Sequence, residues 1–421
     1  MFIWKYLSAI LFYITLPFFY LERVIHKKNG GWKSKFGFCD EIKSEKGVIM
    51  VHGCSVGEIT AVEDLIKRIK RDFPDNKLIV TTSTLTGQEI AKKKLSETAD
   101  YITFFPFDIQ SSVKRFLKRI NPSVVLIAET EIWPNFAYNC KKNNIPLYII
   151  NGRISDSSFG MYRIGKLFFK EVFNFYSGIF TQSNEDSKKF VSLGMNSNKV
   201  EFMGNLKFGI VKTDSEIDLG QNGYKVWLAG STHKPENSIV IDTFSKLKND
   251  HAELKLLIAP RHLERVSDIE SLCDKYNLKY GKRSNSDVFS DNVDVIILDT
   301  LGELKYMYSI SYIAFIGGSF NKTGGHNPLE ASICRVPVLS GPQIFNFKDI
   351  YSILTKAGAA KIVKTQHDLY DEMNKLLNNE SVYIDAQNAC DGVFKEQQGA
   401  TDFVINILKR IQYTKEKVAN N

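Results

Sequence analysis

AFIGGSFNKTGGHNPLEASICRVPVLSG, residues 314–341, decides the fold. An apolar strand over Tyr312–Ile316 runs into a glycine-rich turn, a helix opens at Pro328, and a second strand follows over Val336–Leu339. Strand, turn and helix in that order are the repeating unit of a parallel sheet covered by helices. Gly317, Gly318, Gly324 and Gly325 let backbone come close to a ligand, because glycine has no side chain and tolerates positive φ. Pro328 suits the first turn of a helix, whose free N–H groups and dipole attract a phosphate. Glu330 lies in the same turn; it would repel the phosphate but can accept hydrogen bonds from ribose hydroxyls. The plainer reading is a tight strand–helix turn whose carboxylate complements the helix dipole.

Outward from this stretch the same rhythm fills the chain. In the first half, strands at Val48–His52, Leu78–Thr82, Ile102–Phe105, Val124–Ala128, Leu147–Ile150 and Gly178–Thr181 are interleaved with helices at Glu58–Arg71, Gly87–Leu95, Ile109–Ile120 and Pro134–Lys142. The pattern pauses from Phe208 to Tyr224, a polar and aperiodic stretch. It resumes with strands Val226–Ala229, Leu254–Ala259 and Val295–Leu298 and helices Pro235–Leu247 and His262–Tyr276. The fold class expected is α/β, with two Rossmann-like doubly wound domains facing across a cleft. The domains are read as 25–210 and 225–421, joined by a linker over 211–224 and preceded by an N-terminal segment, 1–24. A helical tail over Gln387–Lys415 can pack back on the first domain.

The segment Phe2–Leu21 is almost wholly apolar and aromatic, interrupted mainly by Lys5, and its length is near the roughly 20 residues that span a bilayer. Arg23, His26, Lys27, Lys28, Lys33 and Lys35 follow it, a basic flank that stays on the cytoplasmic side. A membrane-anchor helix is therefore expected, spanning the bilayer or lying in its interface, against the alternative of a buried first helix. The formal charge of +8 favours anionic partners such as phosphorylated substrates or acidic lipid. The six cysteines are scattered, with no C-x-x-C pair, so neither a zinc site nor a disulfide framework is indicated. His233, His262 and His326 have no carboxylate or second histidine at ligand spacing, so no metal is expected.

Ligands of open parallel sheets sit beyond the carboxyl ends of the strands, which singles out a few loops. HGCSVGE, residues 52–58, leaves a strand and starts a helix. Ser55 and Glu58 have capping-box spacing, and Glu58 is also a candidate general base. In AETEIWPN, residues 128–135, Glu129 follows a strongly apolar strand; it either pairs with Arg153 or takes part in the chemistry. Lys207 in GNLKF, residues 204–208, can reach a developing negative charge or be a solvated linker lysine. Arg261 in APRH, residues 259–262, is placed for a phosphate, with Ser231 and Thr232 of AGSTH as further donors. Lys114, Arg115, Lys118 and Arg119 make one helix basic, suited to an anionic bilayer or simply solvated.

Together these motifs, with TTSTLTG (81–87), NGRIS (151–155), PRHLER (260–265), GGSFNKTGGHNPLE and GPQIFNF (341–347), resemble the Kdo transferases, which add 3-deoxy-D-manno-octulosonic acid to lipid A. The resemblance runs from the N-terminal segment to about Asp349 and fades after about residue 365. It implies a GT-B fold and an inverting, metal-independent transfer without a cofactor. The donor would be CMP-Kdo and the acceptor a lipid A precursor, lipid IVA, at the cytoplasmic side of the inner membrane. Inner membrane lipids, and no nucleic acid, would be the further partners. It also implies that Glu58 is the catalytic base, that Glu129 and Lys207 assist the transition state, and that Pro260, Arg261, Leu301, Gly302, Glu303, Asn327, Pro328, Leu329 and Glu330 form the CMP site. A UDP-sugar transferase on the same fold and a non-catalytic nucleotide-binding scaffold are the rival readings.

Overall fold

The computed structural model describes residues 31–210, 212–213 and 217–419, with Trp4, Ile10, Phe12, Ile14 and Thr15 of the first thirty. Most of the expected anchor Phe2–Leu21, and the flank from Arg23 to Lys28, lie outside the described residues. Among the described residues no helix is long and apolar enough to cross a membrane. The chain divides into two compact units, residues 1–209 with 397–421 and residues 210–396.

The first unit is built on β1 (Val48–His52), β2 (Lys77–Thr82), β3 (Tyr101–Phe104), β4 (Pro122–Ala128), β5 (Leu147–Gly152), β6 (Gly178–Thr181) and β7 (Val200–Phe202). Its helices are α1 (Trp32–Lys35), α2 (Val56–Asp72), α3 (Leu85–Leu95), α4 (Gln110–Ile120), α5 (Pro134–Lys142), α6 (Asp156–Ile164), α7 (Lys166–Phe173) and α8 (Asn184–Ser192). The seven strands form one sheet in the order β3-β2-β1-β4-β5-β6-β7. Every pairing in it is parallel. Strands of this kind are buried on both faces and read as apolar runs, as VIMVH does in β1. Side chains alternate between the faces. Val48 and Met50 join Phe116, Phe136 and Phe173 on one side. Ile49 and Val51 join Ile59, Val62 and Ile66 of α2 on the other.

The second unit repeats the plan with β8 (Lys225–Thr232), β9 (Leu254–Pro260), β10 (Tyr280–Lys282), β11 (Val295–Ile297), β12 (Ile313–Ile316), β13 (Val338–Ser340) and β14 (Ala360–Ile362). Its helices are α9 (Lys234–Leu247), α10 (Val266–Lys275), α11 (Leu304–Met307), α12 (Leu329–Ser332), α13 (Lys348–Ala357), α14 (Gln366–Asn378) and α15 (Glu380–Gln397). The strand order is β10-β11-β9-β8-β12-β13-β14, again all parallel.

In each sheet the first strand sits in the middle and the chain winds outward on one side before returning to the other. The reversal opens a crevice at the carboxyl ends of the two strands that flank it. Those strands are β1 and β4 in the first unit and β8 and β12 in the second.

Three sequence expectations need correction. The tail is not one helix: Gly399, at φ 92°, separates α15 from α16 (Ala400–Ala419). The apolar face of α16, Val404, Ile405 and Leu408, completes the core of the first unit beside α2. Lys35, read as part of a basic flank, is buried; its Nζ donates to the Ser83 carbonyl at 2.7 Å and lies 4.9 Å from the Phe104 ring. Two cations of the basic helix α4 are also committed locally, Arg115 to the Phe36 carbonyl and Arg119 to that of Cys39, which leaves Lys114 and Lys118 exposed.

Candidate active site

β1 ends at His52, whose buried ring packs 4.1 Å from Phe105 and places Nδ1 3.1 Å from the Thr81 carbonyl. Burial pushes this imidazole down to about 3, so it is a neutral wall of the site and not a base. Ser55 caps α2 by accepting the Glu58 N–H at 3.4 Å. The Glu58 carboxylate turns back: one oxygen accepts the Cys54 N–H at 2.6 Å and the other the Ser55 hydroxyl at 3.1 Å. The capping-box and site readings of Glu58 are thus not exclusive, since the cap holds the carboxylate at the crevice. Burial pushes Glu58 up to about 7, and the Glu129 and Glu131 charges act in the same direction against the Cys54 hydrogen bond. A carboxylate near half-ionisation at neutral pH is suited to proton transfer.

β4 delivers Glu129 to the other side of the crevice at φ 56°, a conformation that side-chain-bearing residues adopt at a cost. Arg153 Nε donates to Glu129 Oε2 at 3.0 Å, and Lys207 Nζ lies 3.7 Å from Oε1. The expected pair with Arg153 therefore exists, and Lys207 shares the same carboxylate. Lys207 is not a loose linker residue. Its flanks Leu206 and Phe208 are buried in a 3-10 turn, and its own N–H donates to Asn205 Oδ1 at 3.0 Å. Asn205 in turn donates to Gln182 at 2.9 Å, and Asn151 accepts the Leu206 N–H at 3.0 Å. Glu131 is raised by burial and by Glu129, and Cys54, Glu58 and Glu131 bring ligand-type atoms within 4.8 Å of one another.

In the second unit Ser231 takes φ 55° at the end of β8, and Thr232 beside it is buried. Arg261 follows Pro260 at the end of β9; its N–H is tied to the Thr232 carbonyl at 2.9 Å and its side chain is exposed. At Gly317 backbone approaches backbone: a Cβ there would meet the Ser231 carbonyl oxygen at 2.4 Å. The turn is organised by Glu236 of α9, fully buried, which accepts the N–H groups of Gly318, Ser319 and Phe320 at 2.8, 2.7 and 2.9 Å. It also accepts the His233 N–H at 2.9 Å.

Pro328 is the residue before α12, and α12 is a single turn, Leu329–Ser332. The helix dipole expected at Pro328 is correspondingly small, because dipoles add along a helix. Asn327 Oδ1 accepts the Leu329 N–H at 3.1 Å, and burial raises Glu330 while Asn327 and Lys305 of α11 counter it. Leu301 is 82% exposed, and Gly302 at φ 86° has open space beside it. Glu303 is paired with Arg283 at 3.1 Å and accepts the Thr300 hydroxyl.

The fold thus gathers Glu58, Glu129 and Lys207 at the switch point of the first sheet, and Arg261 with the glycine turn at that of the second. It also reveals residues that the sequence did not single out. Glu236 stands three residues beyond His233, the spacing that would have signalled a reciprocal cap. Asp108 accepts the Phe136 N–H at 2.8 Å and so caps α5 from a distant loop; burial pushes it up to about 6. His233 and His326, 93 residues apart, come to 3.1 Å between their Nε2 atoms. A carboxylate raised to about 7 on one sheet, and an exposed arginine beyond a strand end on the other, are suited to proton transfer and anion binding respectively.

The sequence profile of the 3-deoxy-D-manno-octulosonic-acid transferase (kdotransferase) family matches residues 30–210. The 3-deoxy-D-manno-octulosonic acid transferase of Haemophilus influenzae is 33% identical over 369 residues, 86% of each chain. That of Rickettsia felis is 31% identical over 382 residues, 88% of this chain and 80% of its own. In fold, the chain is similar to the UDP-GlcNAc 2-epimerase of Neisseria meningitidis, with a TM-score of 0.55 at 15% identity over 86% of this chain and 99% of that one. A third of residues shared across most of both chains decides the matter: this chain belongs to the 3-deoxy-D-manno-octulosonic acid (Kdo) transferases, glycosyltransferases of lipopolysaccharide synthesis.

Proposed function

We infer that this enzyme transfers Kdo from CMP-Kdo to a lipid A precursor, lipid IVA, with inversion and without a metal ion. The observation that carries this reading is Glu58, held by its cap and raised to about 7 at the crevice that also holds Glu129 and Lys207. In a single displacement the acceptor hydroxyl oxygen attacks the anomeric carbon of Kdo. Its proton passes to Glu58, and the bond from that carbon to the phosphate oxygen breaks, so that CMP leaves with the electron pair. Attack from the side opposite the leaving group inverts the centre. Lys207 and Glu129 favour the charge that develops on the sugar and the departing oxygen.

The donor is assigned to the second unit. Arg261 and the amides around Pro328 take the phosphate, and Glu330 and Asn327 take ribose hydroxyls. Pro260, Leu301, Gly302, Glu303 and Leu329 line the nucleotide's place. Transfer then requires the acceptor bound by the first unit to meet this donor.

An anionic membrane surface on the cytoplasmic side of the inner membrane is the setting. No α6 residue is buried, and Ile164 and Leu167 are 91% and 88% exposed beside exposed Arg163, Lys166 and Lys170. Trp4 packs 4.9 Å from Phe168 of α7, while Ile10 and Ile14 are exposed. Apolar side chains among cations fit a layer of acyl chains under anionic headgroups. An N-terminal anchor over Phe2–Leu21 would act in the same direction.

Thermal denaturation with nucleotides tests the donor assignment. CMP is expected to raise the melting temperature, and UDP to do so far less; protection by UDP but not CMP would point to a different sugar nucleotide.

A further inference from the structure

The loop that carries Glu58 is itself held from behind. Cys54, whose N–H meets the Glu58 carboxylate at 2.6 Å, presents its own carbonyl to the turn between β2 and α3. That carbonyl accepts the Ser83 N–H at 3.2 Å, the Thr84 N–H at 3.1 Å and the Thr84 hydroxyl at 3.0 Å. The approach is close: a Cβ on Gly87, in the first turn of α3, would meet the same oxygen at 3.0 Å. In a trans peptide the carbonyl and the N–H point in opposite directions. The Ser83–Thr84 peptide uses both, since its carbonyl accepts Lys35 Nζ at 2.7 Å while its N–H donates to Cys54. Hydrogen bonds in series polarise and strengthen one another. A lysine outside the transfer chemistry thus stands at the head of a chain of bonds that ends on Glu58.

Lys35 is fixed at its other end as well. Its N–H donates to the Gly31 carbonyl at 2.9 Å, and its carbonyl accepts the Phe107 N–H at 2.7 Å. The side chain is buried, with Nζ 4.9 Å from the Phe104 ring and 5.8 Å from the Phe107 ring. Phe107 in turn packs 5.2 Å from Phe36, 5.8 Å from Trp32 and 4.8 Å from Phe12 of the N-terminal segment. Taking an ammonium out of water is costly, and aromatic faces and a carbonyl offset the cost only when they are held in place. A lysine that merely closed α1 would leave its charge in solvent; this one directs it at the turn behind the base.

We propose that Lys35 is a positioning residue for Glu58: it clamps the Ser83–Thr84 turn onto Cys54, so that the Cys54 N–H stays on the carboxylate. This rests on the reading of Glu58 as the base. With the clamp gone, the turn relaxes, the Cys54 N–H withdraws, and the carboxylate is no longer aimed at one point of the crevice. The ionisable groups that face Glu58 are Glu129 and Glu131 from the end of β4 and the Cys54 thiol, with Lys35 one layer behind. Burial and the two carboxylates raise Glu58, and the Cys54 N–H is the largest influence against them. Loosening that bond therefore moves the carboxyl further up.

Steady-state transfer from CMP-Kdo to lipid IVA, followed against pH, tests this. Lys35→Met keeps the length of the stem without the charge. It is expected to lower kcat on the alkaline plateau by about 10²-fold, the scale of a misplaced group, with KM for CMP-Kdo unchanged. The midpoint of its acid limb is expected to move above the wild-type value, near 7. Lys35→Arg, which still donates to the Ser83 carbonyl, should restore the wild-type midpoint and most of the rate. Thr84→Val removes one donor from the Cys54 carbonyl and leaves Lys35 in place; it should raise the midpoint too, and decides the matter if Lys35→Met does not melt cooperatively. A cooperatively melting Lys35→Met with wild-type kcat, with a lower rate but an unmoved midpoint, or with its loss confined to KM overturns the proposal, as does an unmoved midpoint in Thr84→Val. Equal transfer by wild-type and Glu58→Gln proteins overturns the base reading and this proposal with it.

Discussion

Lys207 Nζ lies 3.7 Å from Glu129 Oε1, on the carboxylate whose other oxygen is held by Arg153 at 3.0 Å. The two residues come from the ends of different stretches of the first unit, and each is fixed by backbone: Glu129 by its positive φ, Lys207 by the 3-10 turn that Asn205 and Asn151 secure. Removing one preorganised charge from such a site costs about 10²–10³-fold in kcat. Lys207→Met is expected to lose activity on that scale with unchanged CMP binding and melting temperature. A loss confined to CMP affinity would show that Lys207 serves binding and not the transition state.

Glu58 should set the acid limb of the rate. Its raised value, about 7, predicts that kcat/KM rises with pH to a plateau, with a midpoint near neutrality. Glu58→Gln, which keeps acceptor and donor atoms at the cap, should lower kcat by about 10²–10⁴-fold.

The same shift has a consequence for stability. A carboxyl raised on folding stabilises fully below its unfolded value, near 4.3, and that contribution is lost as the pH rises through about 7. Glu58→Gln removes the titration, so the melting temperature of the variant relative to wild type should climb from pH 4.5 to pH 8. A difference independent of pH would place the Glu58 carboxyl in the ordinary range.

Glu236 holds the glycine turn through three consecutive N–H groups, in a place without solvent to replace it. Glu236→Ala leaves those donors buried and unpaired, at about 1–3 kcal/mol each. Calorimetry should find CMP affinity reduced at least tenfold even where the protein stays folded. Unaltered CMP affinity would show that the turn does not form the nucleotide site.

The exposed pair Ile164 and Leu167 gives a test of the membrane surface. The double substitution Ile164→Asp, Leu167→Asp should cut sedimentation with anionic phospholipid vesicles several-fold while leaving CMP protection intact. Vesicle binding equal to wild type would leave attachment to other parts of the chain.

Much of this was legible in the sequence, for identifiable reasons. The central strands are unbroken apolar runs because both faces are covered, and VIMVH or VVLIA cannot be read otherwise. The short edge strands β7, β10 and β14 were not legible: three residues each, partly exposed, they carry no apolar run. Gly399 gave too weak a signal to divide the tail. At the candidate site, Glu58, Glu129 and Lys207 stood out as polar residues next to apolar strands or turns. Glu236 and the His233–His326 pair did not, because their partners are distant in sequence and only the parallel pairing of β8 with β12 brings them together. Lys35 misled for the same reason: a lysine beside a basic run reads as solvated, and its carbonyl partner Ser83 is 48 residues away.

On the proposed reading, Glu58 drives Kdo transfer from CMP-Kdo to a lipid A precursor without metal. Its most direct test is mass spectrometry of the products formed from a CMP-Kdo generating system and tetraacylated lipid A precursor, in the presence of chelator, by wild-type and Glu58→Gln proteins side by side. The account predicts acceptor heavier by one or more Kdo units with wild type, and acceptor left essentially unmodified by Glu58→Gln over the same period. Equal product from both proteins would remove Glu58 from the reaction, and unmodified acceptor with wild type would contradict the assigned substrates or metal independence.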